Sequence, residues 1–181
     1  MSVRKELLRV SNMDLPYCIH RLSSNAHVIE NLARGVSDEQ ARWKPSPEKW
    51  SILEVINHLY DEERDDFRSR LDSVLHQPEK TWPPIDPQGW AVERKYNVRE
   101  LGESLERFLD ERRKSVEWLK ALTEPRLENR YEHPQGAIRG GDLLASWVAH
   151  DFLHVKQITR LHWEFLGSIS QPYKTAYAGE W

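Results

Sequence analysis

The chain has 181 residues, enough for one domain of roughly 150 residues with a sizeable core, which excludes a disulfide-stapled miniprotein. Its 26 Lys and Arg against 29 Asp and Glu give a net charge of −3 with the basic residues scattered, so the electrostatic footprint of a nucleic-acid binder is absent. A single cysteine, Cys18, excludes an internal disulfide and a Cys-rich zinc cluster and is compatible with a reducing compartment.

The opening residues, Met1 to Arg9, lack the apolar core of a signal peptide, and no apolar run approaches a membrane span, which predicts a soluble, cytoplasmic protein. From about Met13 to Arg34, apolar residues at three- and four-residue steps (Leu15, Ile19, Leu22, Ala26, Ile29, Ala33) predict a first helix, with Gly35 placed to stop it. Ser37 with Gln40 resembles a capping box and predicts a short helical segment over Asp38 to Trp43, cut off by Pro45 and Pro47. A second long helix begins at Ser51, whose hydroxyl caps the backbone while Glu54 reaches back, and it is expected to run to about His76. Residues 79–97 hold Pro83, Pro84, Pro87 and Gly89 among Trp82, Ile85 and Trp90, a composition that predicts a non-helical but packed connection and the best lid candidate. A third helix is expected from about Val98 to Leu122 and a fourth from about Asp142 to Gly167. These elements predict an all-α fold, a four-helix bundle with long inter-helix connections in one domain over residues 1–181, whose helix order the connections leave open.

Placing the eight histidines at 100° per residue against the apolar arc of their helices leaves few that look inward. His154 falls within the arc of the fourth helix and His150 at its edge, one turn earlier and roughly 6 Å away along the axis, the spacing of a shared metal. His58 lies at the margin of the apolar face of the second helix, with Glu62 one turn later and slightly further in. His20, His27, His76 and His133 read as surface residues, and His162 lies on an outer flank too far along its helix to join. Unpaired imidazoles near an apolar core carry a desolvation cost that coordination removes, which favours His58, His150 and His154 as a set. Asp151 and Arg112 also face inward and read equally as a buried ion pair or as groups with a direct catalytic role, with Asp66 as a competing partner for the guanidinium.

Two segments carry a resemblance: Trp50-Ser-Ile-Leu-Glu-Val-Ile-Asn-His58-Leu on the second helix and His150-Asp-Phe-Leu-His154-Val-Lys-Gln-Ile158 on the fourth. They resemble the two motifs of the DinB-like (DinB/YfiT) superfamily of metalloproteins. Trp82-Pro-Pro-Ile-Asp-Pro-Gln-Gly-Trp90, Arg94-Lys-Tyr-Asn97 and Gly141-Asp-Leu-Leu-Ala-Ser-Trp147 are similar to one branch, so the likeness runs from about Trp43 to Leu166. The resemblance implies a bundle holding a divalent metal, often nickel or zinc, on His58, His150 and His154. It also implies membership in a group with thiol-dependent transferases and isomerases, and dimerisation.

Three imidazoles leave coordination positions open for water or substrate, so metal-assisted hydrolysis and thiol-dependent transfer on a small molecule are both available. Manganese and iron accept imidazole as well. Glu62 reads as a general base, an extra ligand or an exposed helix-edge carboxylate, and Asp151 and Arg112 as groups orienting an imidazole or pairing with each other. Cys18 reads as core filler. Trp82, Trp90 and Trp147 are candidates for the wall of an apolar pocket or for core. No Gly-x-Ser-x-Gly elbow, P-loop, dinucleotide fingerprint or EF-hand occurs. The competing reading is a noncatalytic bundle whose ion is structural or senses metal supply.

Overall fold

The computed structural model describes residues 13–134, 136–179 and 181. The stretch read as lacking a signal peptide, Met1 to Arg9, lies outside them. The elements are α1 (Leu15–Ala33), α2 (Asp38–Arg42), α3 (Ile52–Asp61), a π-helical turn (Glu62–Phe67), α4 (Arg68–His76), α5 (Pro87–Glu93), α6 (Leu101–Ala121), a hairpin of β1 (Arg130–His133) and β2 (Gly136–Arg139), and α7 (Gly140–Ile169). No described helix is long and apolar enough to cross a membrane.

The caps do what their residue types dictate. Asp14 accepts from the Tyr17 amide at 2.8 Å, and Ser51 and Glu54 close a reciprocal capping box (3.1 and 2.8 Å) that starts α3 abruptly. Gly35, at φ +84°, ends α1 in the left-handed conformation that a Cβ disfavours.

Side-chain contacts fix the direction of each long helix. Asn57 donates to Ser104 (3.0 Å) and Arg68 to Ser115 (3.1 Å), so α3 and α4 run parallel to α6. His58 faces His154 while Phe67 stacks on Trp147, so α3 and α4 run antiparallel to α7. Asn25 donates to Asp151 (3.2 Å) and His162 to the Leu32 carbonyl (2.7 Å), making α1 parallel to α7. Arg112 donates to the Leu22 carbonyl and Arg34 pairs with Glu106, making α1 antiparallel to α6. The order is therefore up, down, down, up. Going from α4 to a parallel α6 forces residues 77–100 to climb the length of the bundle, which is why that connection is long.

Four sequence expectations change. The second helix is interrupted: an inserted residue at the π-helical turn rotates everything beyond it by about 100° relative to an unbroken helix. The 79–97 connection is not free of helix, because Pro87 sits at the start of α5, where a missing N–H costs nothing and Asp86 caps the Gly89 amide at 2.9 Å. A 3-10 turn follows at Tyr96–Val98. Instead of a loose lid, the segment is a strap fastened at both ends. Trp82 stacks on Tyr131 of the hairpin (4.0 Å between centroids), Arg94 and Tyr96 both bond Asp61, and Asn97 accepts from Ser51 at 2.6 Å. The hairpin itself was absent from the sequence reading. It bridges the diagonal from α6 to α7, and Asn129 beside it donates to the Leu75 carbonyl at 3.1 Å.

The core forms two apolar clusters. One gathers Ile29, Ile52, Ile56, Leu105, Phe108, Ile158 and Leu161; the other gathers Leu22, Leu71, Val74, Leu119, Leu144 and Trp147. Cys18 is fully buried in the second as filler, its thiol pushed up to about 11 by burial and then by the nearby Asp14 charge.

Candidate metal centre

Between α3 and α7, His58, His150 and His154 each aim one ring nitrogen at a common point, and these atoms lie within 4.8 Å of one another. The Nε2 atoms of His58 and His150 are 3.3 Å apart, and those of His154 and His150 are 3.1 Å apart. Nitrogens held about 2.0 to 2.1 Å from one ion are separated by about 2.9 to 3.4 Å in octahedral or tetrahedral geometry, which the His150 separations from His58 and His154 match, while the set as a whole spans up to 4.8 Å. His58 and His154 are buried and His150 half-buried.

All three rings are held neutral. Burial, then the His154 and His150 rings, pushes His58 down to about 2; burial, then His154 and Arg112, pushes His150 to about 3; burial also lowers His154. A neutral imidazole has one N–H and one lone pair. Gln157 Oε1 accepts from His154 Nδ1 at 2.7 Å, which turns the Nε2 lone pair into the cluster.

At the other edge of His58, Nδ1 faces Glu62 Oε1 at 3.7 Å, and both atoms are buried without a hydrogen-bond partner among the described residues. Glu62 is 5% exposed, so it is not a helix-edge surface carboxylate. Burial and then its neighbour Asp66 push its carboxyl up to about 8.

Between His150 and His154 in sequence, Asp151 forms the predicted ion pair. Arg112 grips Asp151 with both terminal nitrogens (2.8 and 2.7 Å), and Asp151 also accepts from Asn25. The guanidinium's further carboxylate partner is Glu63 (2.6 Å) and not Asp66, which pairs with Arg70 at 2.7 Å. Glu63 also accepts from Trp147 Nε1 at 2.6 Å. Sequence periodicity missed Glu63, and the acidic run Glu62, Glu63, Asp65, Asp66 was the available signal. The π-helical turn buries Glu62, Glu63 and Asp66 of that run together.

The rings beside the imidazoles are Trp50, 4.7 Å from His58, and Phe67, 5.1 Å from His150. Trp147 lies behind Phe67 (5.7 Å), Trp82 belongs to the hairpin stack, and Trp90 lies under the Arg94 guanidinium (4.1 Å). His20, His27 and His76 are exposed as expected. His133 is half-buried on β1 near Trp82, and His162 ties α7 to Gln40 and the Leu32 carbonyl instead of lying free on a flank.

Comparison with known proteins bears on the fold and the family. No curated protein matches the chain by sequence. A solved structure described as "YfiT from Bacillus subtilis is a probable metal-dependent hydrolase with an unusual four-helix bundle topology" superposes with a TM-score of 0.73 at 19% identity, covering 89% of this chain and 91% of that one. The sequence profile of the DinB superfamily matches residues 21–158, a span that holds α3, the π-helical turn and all three converging histidines. With most of its length matched in this way, the chain belongs to the DinB superfamily.

Proposed function

We propose that this protein is a metal-dependent enzyme of the hydrolase type, with His58, His150 and His154 holding a divalent ion, nickel or zinc, for work on a small molecule. The observation that carries the reading is the triangle of neutral imidazoles with Nε2 atoms 3.1 and 3.3 Å apart, a cluster of lone pairs that only a cation satisfies fully. A bound ion there would supply Lewis-acid polarisation and lower the pKa of a coordinated water or thiol.

The remaining roles fall to the chain's own side chains. Gln157 holds the His154 tautomer, and Glu62 faces the outer nitrogen of His58, where it orients that ring. Arg112 and Asp151, both buried beyond reach of solvent, position α7 and with it His150 and His154, instead of moving protons. Trp50 and Phe67 shield the cluster from bulk water. The description of the Bacillus subtilis relative as a probable metal-dependent hydrolase favours water as the nucleophile. A low-molecular-weight thiol is the alternative co-substrate, separated by whether turnover requires added thiol. Homodimerisation, implied by the resemblance, completes the reading.

Elemental analysis of untagged protein tests it. About one divalent metal per chain is expected in the parent and little in His154→Ala. Full occupancy in each of His58→Ala, His150→Ala and His154→Ala would overturn the assignment. Unfolding on metal removal, with no exchangeable water at the ion, would support the structural-ion alternative.

A further inference from the structure

A cavity of about 290 Å³ opens between the 45–50 loop and the C-terminal half of α7. Its lining includes Trp50 and Gln157, the residues that touch His58 (4.7 Å between ring centroids) and hydrogen-bond His154 (2.7 Å). Anything seated there is therefore one side chain away from the imidazole triangle. Its volume is at the small end for ligand pockets.

Apolar surface comes from Trp50 and Leu161, and positive charge from Lys49 and Arg160. Among the described residues no carboxylate pairs with the exposed Lys49 ammonium. Arg160 uses only its Nε, which donates to Glu164 at 2.7 Å. Its terminal nitrogens, the fork that receives a carboxylate through paired hydrogen bonds, have no partner among the described residues. Among the residues lining the cavity, with its aromatic wall, two cations, Lys49 and Arg160, face one carboxylate, Glu164; the Glu48 carboxylate next to Lys49 feels its charge but is bonded to Ser46 at 2.8 Å.

We infer that this cavity is the specificity subsite of the proposed centre and takes a small organic carboxylate: Lys49 and Arg160 hold the anionic end, Trp50 and Leu161 pack its apolar stem, and the opposite end reaches toward the histidines. The inference rests on the proposed metal-enzyme reading for what happens at that opposite end. The carboxylate grip does not depend on it.

The test measures binding of 3-phenylpropionate and of its neutral isostere 3-phenylpropionamide by ligand-observed NMR, with metal content determined on the same samples. The acid is expected to bind at least roughly tenfold more tightly than the amide, and Lys49→Gln or Arg160→Gln to remove that preference, since a charge-assisted pair is lost. Metal content should stay at the parent level in both variants. Equal binding of acid and amide, or a preference that survives in the Lys49→Gln, Arg160→Gln double variant, would overturn the subsite. Selective acid binding by a protein that holds no metal would uphold the carboxylate grip and defeat the metal reading instead.

Discussion

Two polar clusters are built on the same turn of α7, where Asp151 follows His150 and precedes His154, and they are satisfied in opposite ways. Around Arg112, charges of both signs meet: one guanidinium faces Asp151 and Glu63, with Asn25 and Trp147 donating to the same carboxylates. Around His150, three like groups meet, each neutral and each presenting a nitrogen to the others. The first cluster has its counter-charges within the chain and ties α1, α6, α7 and the π-helical turn together. The second consists of three neutral nitrogen donors. What separates scaffold from candidate site is that the first pairs opposite charges within the chain, whereas the second gathers like donors with a half-buried member, His150.

The largest effect is expected on the scaffold side. Arg112→Ala leaves Asp151 and Glu63 buried without their cation and should destabilise the metal-free protein by about 3 to 5 kcal/mol in urea unfolding. A loss below 1 kcal/mol would show that the carboxylates find water or protons instead. On the centre side, Gln157→Ala frees the His154 tautomer and should weaken metal binding by about 10- to 100-fold while the unfolding midpoint of the metal-free chain stays put. If both quantities moved together, the two clusters would be one.

Acid should separate them further. His58 and His150 are pushed to about 2 and about 3, and His154 is lowered too, whereas the unfolded chain takes up protons at these rings below about 6.5. The unfolded state then binds more protons, so metal-free stability falls with decreasing pH by about 1.4 kcal/mol per pH unit for each of His58 and His150, with His154 acting in the same direction. Glu62, raised to about 8, acts in the opposite sense: it is protonated in the folded chain where the unfolded one has lost the proton, so it favours folding less as pH rises toward 8, and Asp66, also raised, pulls the same way. Below pH 6.5 the His58 and His150 rings outweigh the Glu62 carboxyl, and stability should decline. In His150→Ala the acid-side slope should be shallower by about 1.4 kcal/mol per pH unit, read from urea titrations at several pH values.

The smallest effect concerns the strap. Tyr96→Phe removes the hydroxyl that donates to Asp61, but Arg94 remains 2.7 Å from that carboxylate. A loss of about 1 kcal/mol with unchanged metal affinity is expected. A change in affinity would make the strap part of the centre.

Much of the centre was legible before any coordinates. The phases of His58, His150 and His154 followed from helical periodicity because α3 up to Asp61 and the whole of α7 are regular, and a regular helix keeps its angle per residue. The Arg112 and Asp151 pair was legible for the same reason. Glu63 was not, and Asp66, the competing partner weighed for Arg112, pairs with Arg70 instead, because both lie in the π-helical turn where the 100° rule fails. Trp50 and Phe67 were passed over beside the imidazoles in favour of Trp82, Trp90 and Trp147. Which ring covers which side chain depends on neighbours far away in sequence, and composition carries no such information.

The amino-acid sequence by itself determined the helical class, the abrupt start of α3 at its capping box, the end of α1 at Gly35 and the inward histidines, since each follows from local backbone chemistry or local period. Only the tertiary structure decided the up, down, down, up order, the strap over residues 77–100, the hairpin beneath the diagonal and the closing of three imidazoles to within 4.8 Å. These depend on which faces bury each other across long sequence separations, and a helix of given amphipathicity packs equally well against a parallel or an antiparallel neighbour.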